Sequence, residues 1–284
     1  MEEKINYSFI IPHKNCPDLL RRCVDSIPQR DDIQIIVVDD NSDENQKPNL
    51  DRKDVEVISL DAEHSKGAGR ARNIGLDHAN GKWLLFADAD DYFVEGFVKV
   101  LDEHKDSDVD ILFFTSTAIV EETQESAPSR TSYVDNYIHQ RQFERLRYQH
   151  YVPWSKMIRA SLVYDNQIRF DEVEVANDMM FSLKTGHYAR KILGVLKPIY
   201  ISSIRKDSLY FKTTESRLET RYLVLVDANR SLIEYGKWKY KPNLLKSVRQ
   251  FKQFSKESYQ KHLRNVWNEE PWYAYLFDLI RLCK

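Results

Sequence analysis

Hydrophobic and polar positions along the first 115 residues switch repeatedly between two periods. Tyr7 to Ile11 is a short β-rich run closed by Pro12. From Asp18 to Ile27 the apolar residues Leu19, Leu20, Cys23, Val24 and Ile27 share one helical face, with Asp18 placed as a cap. Ile33 to Val38 is an unbroken apolar strand that ends in the turn-forming Asp39-Asp40-Asn41-Ser42. Val55 to Leu60 reads as a third strand, Gly67 to Ala79 as a helix, and Trp83 to Ala87 as a fourth strand. A helix over Phe93 to His104 and a strand over Val109 to Thr115 follow. Strands alternating with helices predict an α/β fold with a mostly parallel, doubly wound sheet.

Beyond residue 120 the pattern weakens. Residues 121–132 are polar and read as a loop, and Gln140 to Gln149 as a charged helix. Ile158 to Tyr164 and Ile168-Arg169-Phe170 read as short extended pieces, and Asn177 to His187 as a helix. Past Pro198 the expectation is helical: Arg217 to Tyr235, Asn243 to Phe254, and a last helix from about Trp267 to Leu282. That last stretch is rich in aromatics, and docking on the body is expected ahead of subunit pairing or a membrane interface.

With 42% hydrophobic and 30% charged residues in 284, the composition is that of a globular protein with a sizeable core. No apolar run approaches the ~18 residues of a spanning helix, and Met1-Glu2-Glu3-Lys4 is too polar to open a signal peptide. Cys16, Cys23 and Cys283 form no CxxC pair. The expectation is a reduced, cytoplasmic protein. The net charge of −2 hides a split: residues 181–284 carry 21 Lys+Arg against 9 Asp+Glu, and residues 1–180 carry 21 against 35. Such a basic tail suits an anionic surface, or else is a solvated helical face docked on an acidic body.

Three strand ends carry polar groups that converge if the sheet winds as expected: Pro12-His13-Lys14-Asn15, Asp39-Asp40-Asn41-Ser42 and Asp88-Ala89-Asp90-Asp91. Open α/β sheets place ligands beyond the carboxyl ends of their strands. The third end packs three carboxylates within four residues, and crowded carboxylates favour a cation. Mg²⁺ or Mn²⁺, which take oxygen ligands and bridge to phosphates, fit that need. An acidic turn capping the next helix is the alternative.

Taken in order, Phe9-Ile10-Ile11-Pro12-His13-Lys14-Asn15, Ile35 to Ser42, Gly69-Arg70-Ala71-Arg72-Asn73-Ile74-Gly75 and Gly81 to Asp91 resemble the inverting glycosyltransferases of family 2. The likeness is close over residues 5–115 and thinner over 150–190. It implies the GT-A fold: a glycosyltransferase domain over 1–200, with a nucleotide-sugar half (1–115) and an acceptor half (116–200), then a basic helical region over 201–284. It also implies a nucleotide-sugar donor, commonly a UDP-sugar. Asp39 or Asp40 would accept hydrogen bonds from the base or ribose. Pro12, His13 and Asn15 would line the donor, and Arg72 would approach it from the helix start. Asp88-Ala89-Asp90 matches the family's DXD motif, with Asp90 on the metal and Asp88 on ribose or metal. Asp91 would cap the next helix.

Inverting transfer needs a base, and Asp178 matches the family's position for it. Asn177 stands where the family usually has an acid, which implies a lower base pKa than in its relatives. A helix cap is the other reading of Asp178. Pro153-Trp154-Ser155-Lys156 resembles a Trp-x-Lys segment on the acceptor side, where Trp154 would stack on a sugar unless it is a core residue. The implied partners are the donor and a glycan or lipid-linked acceptor of surface-polysaccharide synthesis, not nucleic acid. Peripheral association with the inner face of an anionic membrane follows from the basic tail. The rival readings are a silent nucleotide-sugar-binding scaffold, kept open by Asn177, and a nucleotidyltransferase. The latter's Gly-rich phosphate loop is missing after the first strand.

Overall fold

The computed structural model describes residues 5–205 and 214–269, together with Asp278 and Ile280. Strands β1 (Tyr7–His13), β2 (Ile33–Asp39), β3 (Val55–Ser59) and β4 (Trp83–Phe86) run parallel in the order β3-β2-β1-β4. β1 and β4 are buried along their whole length, which is why they read as unbroken apolar runs. Helices α1 (Pro17–Asp25) and α2 (Ala68–His78) form the first crossovers. Gly75 lets α2 lie close on β1, since a Cβ there would meet Ile10 Cγ2 at 2.4 Å.

After β4 the sheet becomes mixed. A two-residue strand β5 (Tyr92–Phe93) precedes α3 (Phe97–Asp102), so the expected helix from Phe93 is shorter and starts later. β6 (Ile111–Val120) is longer than expected and pairs with β7 (Ser126–Ala127) inside the predicted loop. Two helices, α4 (Tyr133–His139) and α5 (Phe143–Gln149), replace the single charged one. β8 (Lys156–Arg159) inserts antiparallel between β4 and β6. The expected extended piece then turns into α6 (Ala160–Asp165), while Ile168 to Phe170 joins no strand. α7 (Met179–Tyr188) opens just after Asp178.

The largest correction is β9 (Ile192–Ile204), which crosses the boundary placed at residue 200. It runs parallel to β6, and Pro198 sits opposite Thr115 at a register shift, where the ladder does not need its missing N–H. β9 ends at the same edge of the sheet as β1, β2 and β4. Beyond it, α8 (Glu215–Glu234), α9 (Leu244–Arg249) and α10 (Lys256–Glu269) gather Leu218, Tyr222, Val248, Phe251 and Val266 into a separate cluster. On its other side α8 packs Val224, Ala228 and Leu232 against Met180 and Leu183 of α7. The predicted last helix lies outside the described residues apart from Asp278 and Ile280. Asp278 forms a fully buried ion pair with Lys241 (2.8 Å) and accepts from the Leu244 N–H (3.1 Å).

Candidate active site

The parallel register sets His13 beside Asp39. Cys16 N–H donates to His13 Nε2 (3.2 Å), so Nδ1 carries the proton and donates to Asp39 Oδ1 (2.9 Å). Ser42 Oγ also donates to Asp39, and Asp39 is 1% exposed. Both side chains are thus spent on closing the turns, and neither His13 nor Asp39 has a free polar edge for a nucleobase. Asn15 is likewise committed: its amide accepts from Asp43 N–H (2.8 Å) and donates to Asp43 Oδ2 (3.3 Å), away from the cleft. Asp40 is the carboxylate left for a ligand. Its Oδ2 accepts from Gly67 N–H (3.1 Å) and from Lys14 Nζ (3.4 Å), while Oδ1 is buried with no hydrogen bond among the described residues.

At the end of β4, Arg72 reaches from α2 to donate to Asp88 Oδ1 (2.6 Å) and Asn177 Oδ1 (2.8 Å). Asn177 therefore accepts from Arg72 much as a carboxylate would. Arg205, just past β9, pairs with Asp90, and Arg22 donates to the Asp90 carbonyl (2.9 Å). Asp88 N–H donates to Tyr200 Oη (2.9 Å). Asp91 does not cap the next helix, which starts six residues later behind Gly96. It is 2% exposed and accepts from Ser203 N–H (2.7 Å), tying the acidic turn to β9.

Oxygens of Asp88, Asp90 and Asp91 lie within 4.8 Å of one another. Burial, then the neighbouring Asp88, raises the pKa of Asp90 in spite of Arg205. Burial followed by Asp90 and Asp88 pushes Asp91 well up. A divalent cation relieves that strain between carboxylates. Asp88 gives Oδ1 to Arg72 and Asp90 gives Oδ2 to Arg205, whereas Asp91 is held by both the Ser203 N–H and the Tyr200 hydroxyl. An all-oxygen donor set of this kind fits Mg²⁺ or Mn²⁺.

The side of the cleft expected to meet the acceptor includes the segment before α7. Asn73 clamps Phe170 with two backbone bonds (3.0 and 2.8 Å), and a Cβ on Gly69 would meet the Asp171 carbonyl at 2.0 Å. The Gly-Arg-Ala-Arg-Asn run thus holds this loop and, through Arg72, meets Asp88 at the end of β4. Ala176 adopts a left-handed φ of 59°, a strained conformation for a residue with a Cβ. Asp178 occupies the N-cap position of α7, yet its side chain makes no cap bond. Burial raises its pKa, with Asp88 adding to the rise and Arg72 and Lys156 opposing it.

Trp154 does not face an acceptor. It is 2% exposed and stacks on Tyr200 at 4.9 Å and 12°. The side chain belongs to the core cluster that also holds Phe114, Met157, Ile199 and Tyr200. Trp154→Ala is expected to destabilise the fold by about 3–5 kcal/mol, read from urea unfolding. An unchanged midpoint would return the indole to the acceptor surface. Lys156 is also buried, and no part of it lines the cleft.

The cleft itself has a volume of about 730 Å³ and is lined by Pro12, His13, Asp40, Arg72, Asp88, Ala89 and Asp90 among others. Sequence reasoning did not assign Lys14, Lys66, Arg205, Arg217 or Glu174, which also line it. Arg205 and Arg217 carried no signal because one follows an unexpected strand and the other lies in the first turn of a helix distant in sequence. Lys14 and Lys66 sat beside recognised motifs. Besides Asp40 Oδ1, the Nε atoms of Arg72 and Arg205 are buried and make no hydrogen bond among the described residues. One cleft therefore offers an acceptor and two guanidinium donors.

The sequence model of Glycosyl transferase family 2 matches residues 8–166. The chain belongs to glycosyltransferase family 2. This family 2 chain is 22% identical over 246 residues to EpsH of Bacillus subtilis (strain 168), a putative glycosyltransferase, covering 80% of this chain and 69% of EpsH. It is 36% identical over 90 residues to WfaP of Escherichia coli, a UDP-Glc:α-D-GlcNAc-diphosphoundecaprenol β-1,3-glucosyltransferase, covering 31% of this chain and 36% of WfaP. TarS of Staphylococcus aureus, a poly(ribitol-phosphate) β-N-acetylglucosaminyltransferase, is 24% identical over 240 residues, covering 78% of this chain but only 39% of TarS. The crystal structure of TarS 1–349 in complex with UDP-GlcNAc superimposes with a TM-score of 0.63 at 22% identity, covering 89% of this chain and 74% of that one. The fold of this family 2 chain is therefore GT-A. No helix among its described residues is long and apolar enough to cross a membrane.

Proposed function

We propose that this chain transfers a sugar with inversion from a nucleotide-diphosphate donor, a UDP-sugar, to a hydroxyl of a glycan or lipid-linked acceptor. The observation that carries the reading is a carboxylate without a cap bond, Asp178, next to a residue that lines a cleft equipped for a nucleotide diphosphate. Asp40 Oδ1 would accept from the base or ribose, and Arg72 and Arg205 would face the diphosphate. Asp88 and Asp90 would hold Mg²⁺ or Mn²⁺, which when bound neutralises charge on the leaving diphosphate. Asp178 would take the proton from the acceptor hydroxyl as it attacks the anomeric carbon from the opposite face. The β products in the names of WfaP and TarS support inversion from an α-linked donor.

The division of labour belongs to the same reading: donor binding in residues 1–115 and the acceptor in the half that follows. Of the C-terminal helices α8 packs on α7, so it supports the acceptor side. Their positive balance suits an anionic membrane that presents a lipid-linked acceptor. Asn177 does not favour a silent scaffold, since its amide oxygen fills the role toward Arg72.

Calorimetric titration of UDP, GDP and CDP tests the donor assignment. UDP is expected to bind best, and Asp40→Ala to weaken it by about tenfold or more as a buried acceptor is lost. Equal binding of UDP by both proteins would remove Asp40 from the donor site.

A further inference from the structure

β8 buries a lysine next to Met157 and Ile158. Lys156 is 2% exposed and lies across from Phe113 of β6, with its ammonium 5.4 Å from the ring centroid. Its Nζ donates to the His150 carbonyl (2.9 Å) and to Ser182 Oγ (3.2 Å). Burial lowers its pKa to about 7, so the group is charged below neutrality and largely neutral above it. A methionine would fill the space without the cost of desolvating an ammonium.

The neighbour that gives this lysine a purpose is Asp178. Ser182, which Lys156 grips, lies one turn into α7 and donates its N–H to the Asp178 carbonyl (3.0 Å). Asp178 is also the carboxylate whose charge acts on Lys156, and in return the ammonium favours ionised Asp178. Other charged and titratable groups also surround this pair. Arg72 from α2 remains a cation and Asp88 after β4 pairs with it (2.6 Å). Tyr133 from α4 is held as a neutral phenol by burial, with its hydroxyl bonded to His150 Nδ1 (3.0 Å). His150 is kept neutral by burial and by Lys156. Lys156 is the group that burial brings to about 7.

We propose that Lys156 is a positioning residue: through Ser182 it fixes the first turn of α7, and through its charge it keeps Asp178 ionised. The inference rests on the reading of Asp178 as the base. Its sign follows from the charges. Below neutrality the ammonium favours the ionised Asp178 carboxylate, and this support fades as pH rises through the lysine's own titration.

The Asp178 carboxyl carbon, followed by ¹³C NMR in metal-free, donor-free protein and assigned with Asp178→Asn, tests the coupling directly. The wild type is expected to show a second inflection near pH 7, where Lys156 titrates. Lys156→Met should lose that inflection and move the main titration of Asp178 to higher pH. In turnover, the ratio of kcat at pH 6 to kcat at pH 8 should fall about tenfold relative to wild type. Ser182→Ala, which removes the anchor and keeps the charge, should lower kcat without changing that ratio. A single inflection in the wild type, or a Lys156→Met deficit equal at both pH values, overturns the proposal. The wild-type titration requires neither a stable variant nor turnover. Absence of transferase activity would therefore reject Asp178 as a base without obscuring whether Lys156 acts on it.

Discussion

Asp178→Asn is expected to lower kcat for sugar transfer by about 10²–10⁴-fold, the usual contribution of a positioned general base. Nucleotide affinity should stay within about twofold, because Asp178 does not line the donor cleft. The substitution keeps the size of the side chain and removes only its basicity. It also leaves α7 intact, since the carboxylate makes no cap bond that an amide would break. Burial raises the base pKa above the ordinary carboxyl value, and the uncharged Asn177 adds no like charge to that rise. A raised pKa strengthens the base, while Arg72 and Lys156 oppose the rise and favour its ionised form. Steady-state transfer measured beside calorimetric UDP binding decides the matter. Activity within tenfold of wild type would put the base elsewhere, and a parallel loss of UDP binding would make Asp178 a structural residue.

The first half of the fold was legible because β1, β2 and β4 are buried on both faces and punctuated by turns, so period and composition agree. The second half was not. β8 is four residues long and runs straight into α6, and β9 contains Gly194 and Lys197-Pro198, which read locally as breakers. Their places in the sheet come from partners more than 40 residues away, which no local pattern records. The site divides in the same way. The density of acid at Asp88 to Asp91 is visible in one dimension, whereas the choice between Asp39 and Asp40 depends on register, which spends Asp39 on His13. Arg205 was invisible because it sits at the end of a strand that was not expected. Trp154 and Lys156 were visible as residue types but not as buried ones, and burial changes both assignments.

Asp90→Ala is expected to abolish the part of nucleotide binding that depends on Mn²⁺ while sparing the part that does not. In the wild type, Mn²⁺ should tighten UDP by about tenfold or more, since a divalent ion bridging a carboxylate and a diphosphate adds charge-assisted contacts that water would otherwise satisfy. Asp90 is the carboxylate best placed to report this. Its pKa is raised by burial and by Asp88, so a cation favours its ionised form, and its protein partner is the partly exposed Arg205. That arginine must share Asp90 with the metal or give it up, and removal of the carboxylate frees it for the diphosphate. UDP affinity without metal should therefore be unchanged or slightly higher in Asp90→Ala, with Asp40 and Arg72 untouched. Titrations of UDP with and without Mn²⁺ on both proteins separate the two contributions. If Mn²⁺ leaves wild-type affinity where it was, the acidic cluster is not a metal site. Neutralising the leaving diphosphate would then fall to Arg72 and Arg205, already paired across the cleft with Asp88 and Asp90.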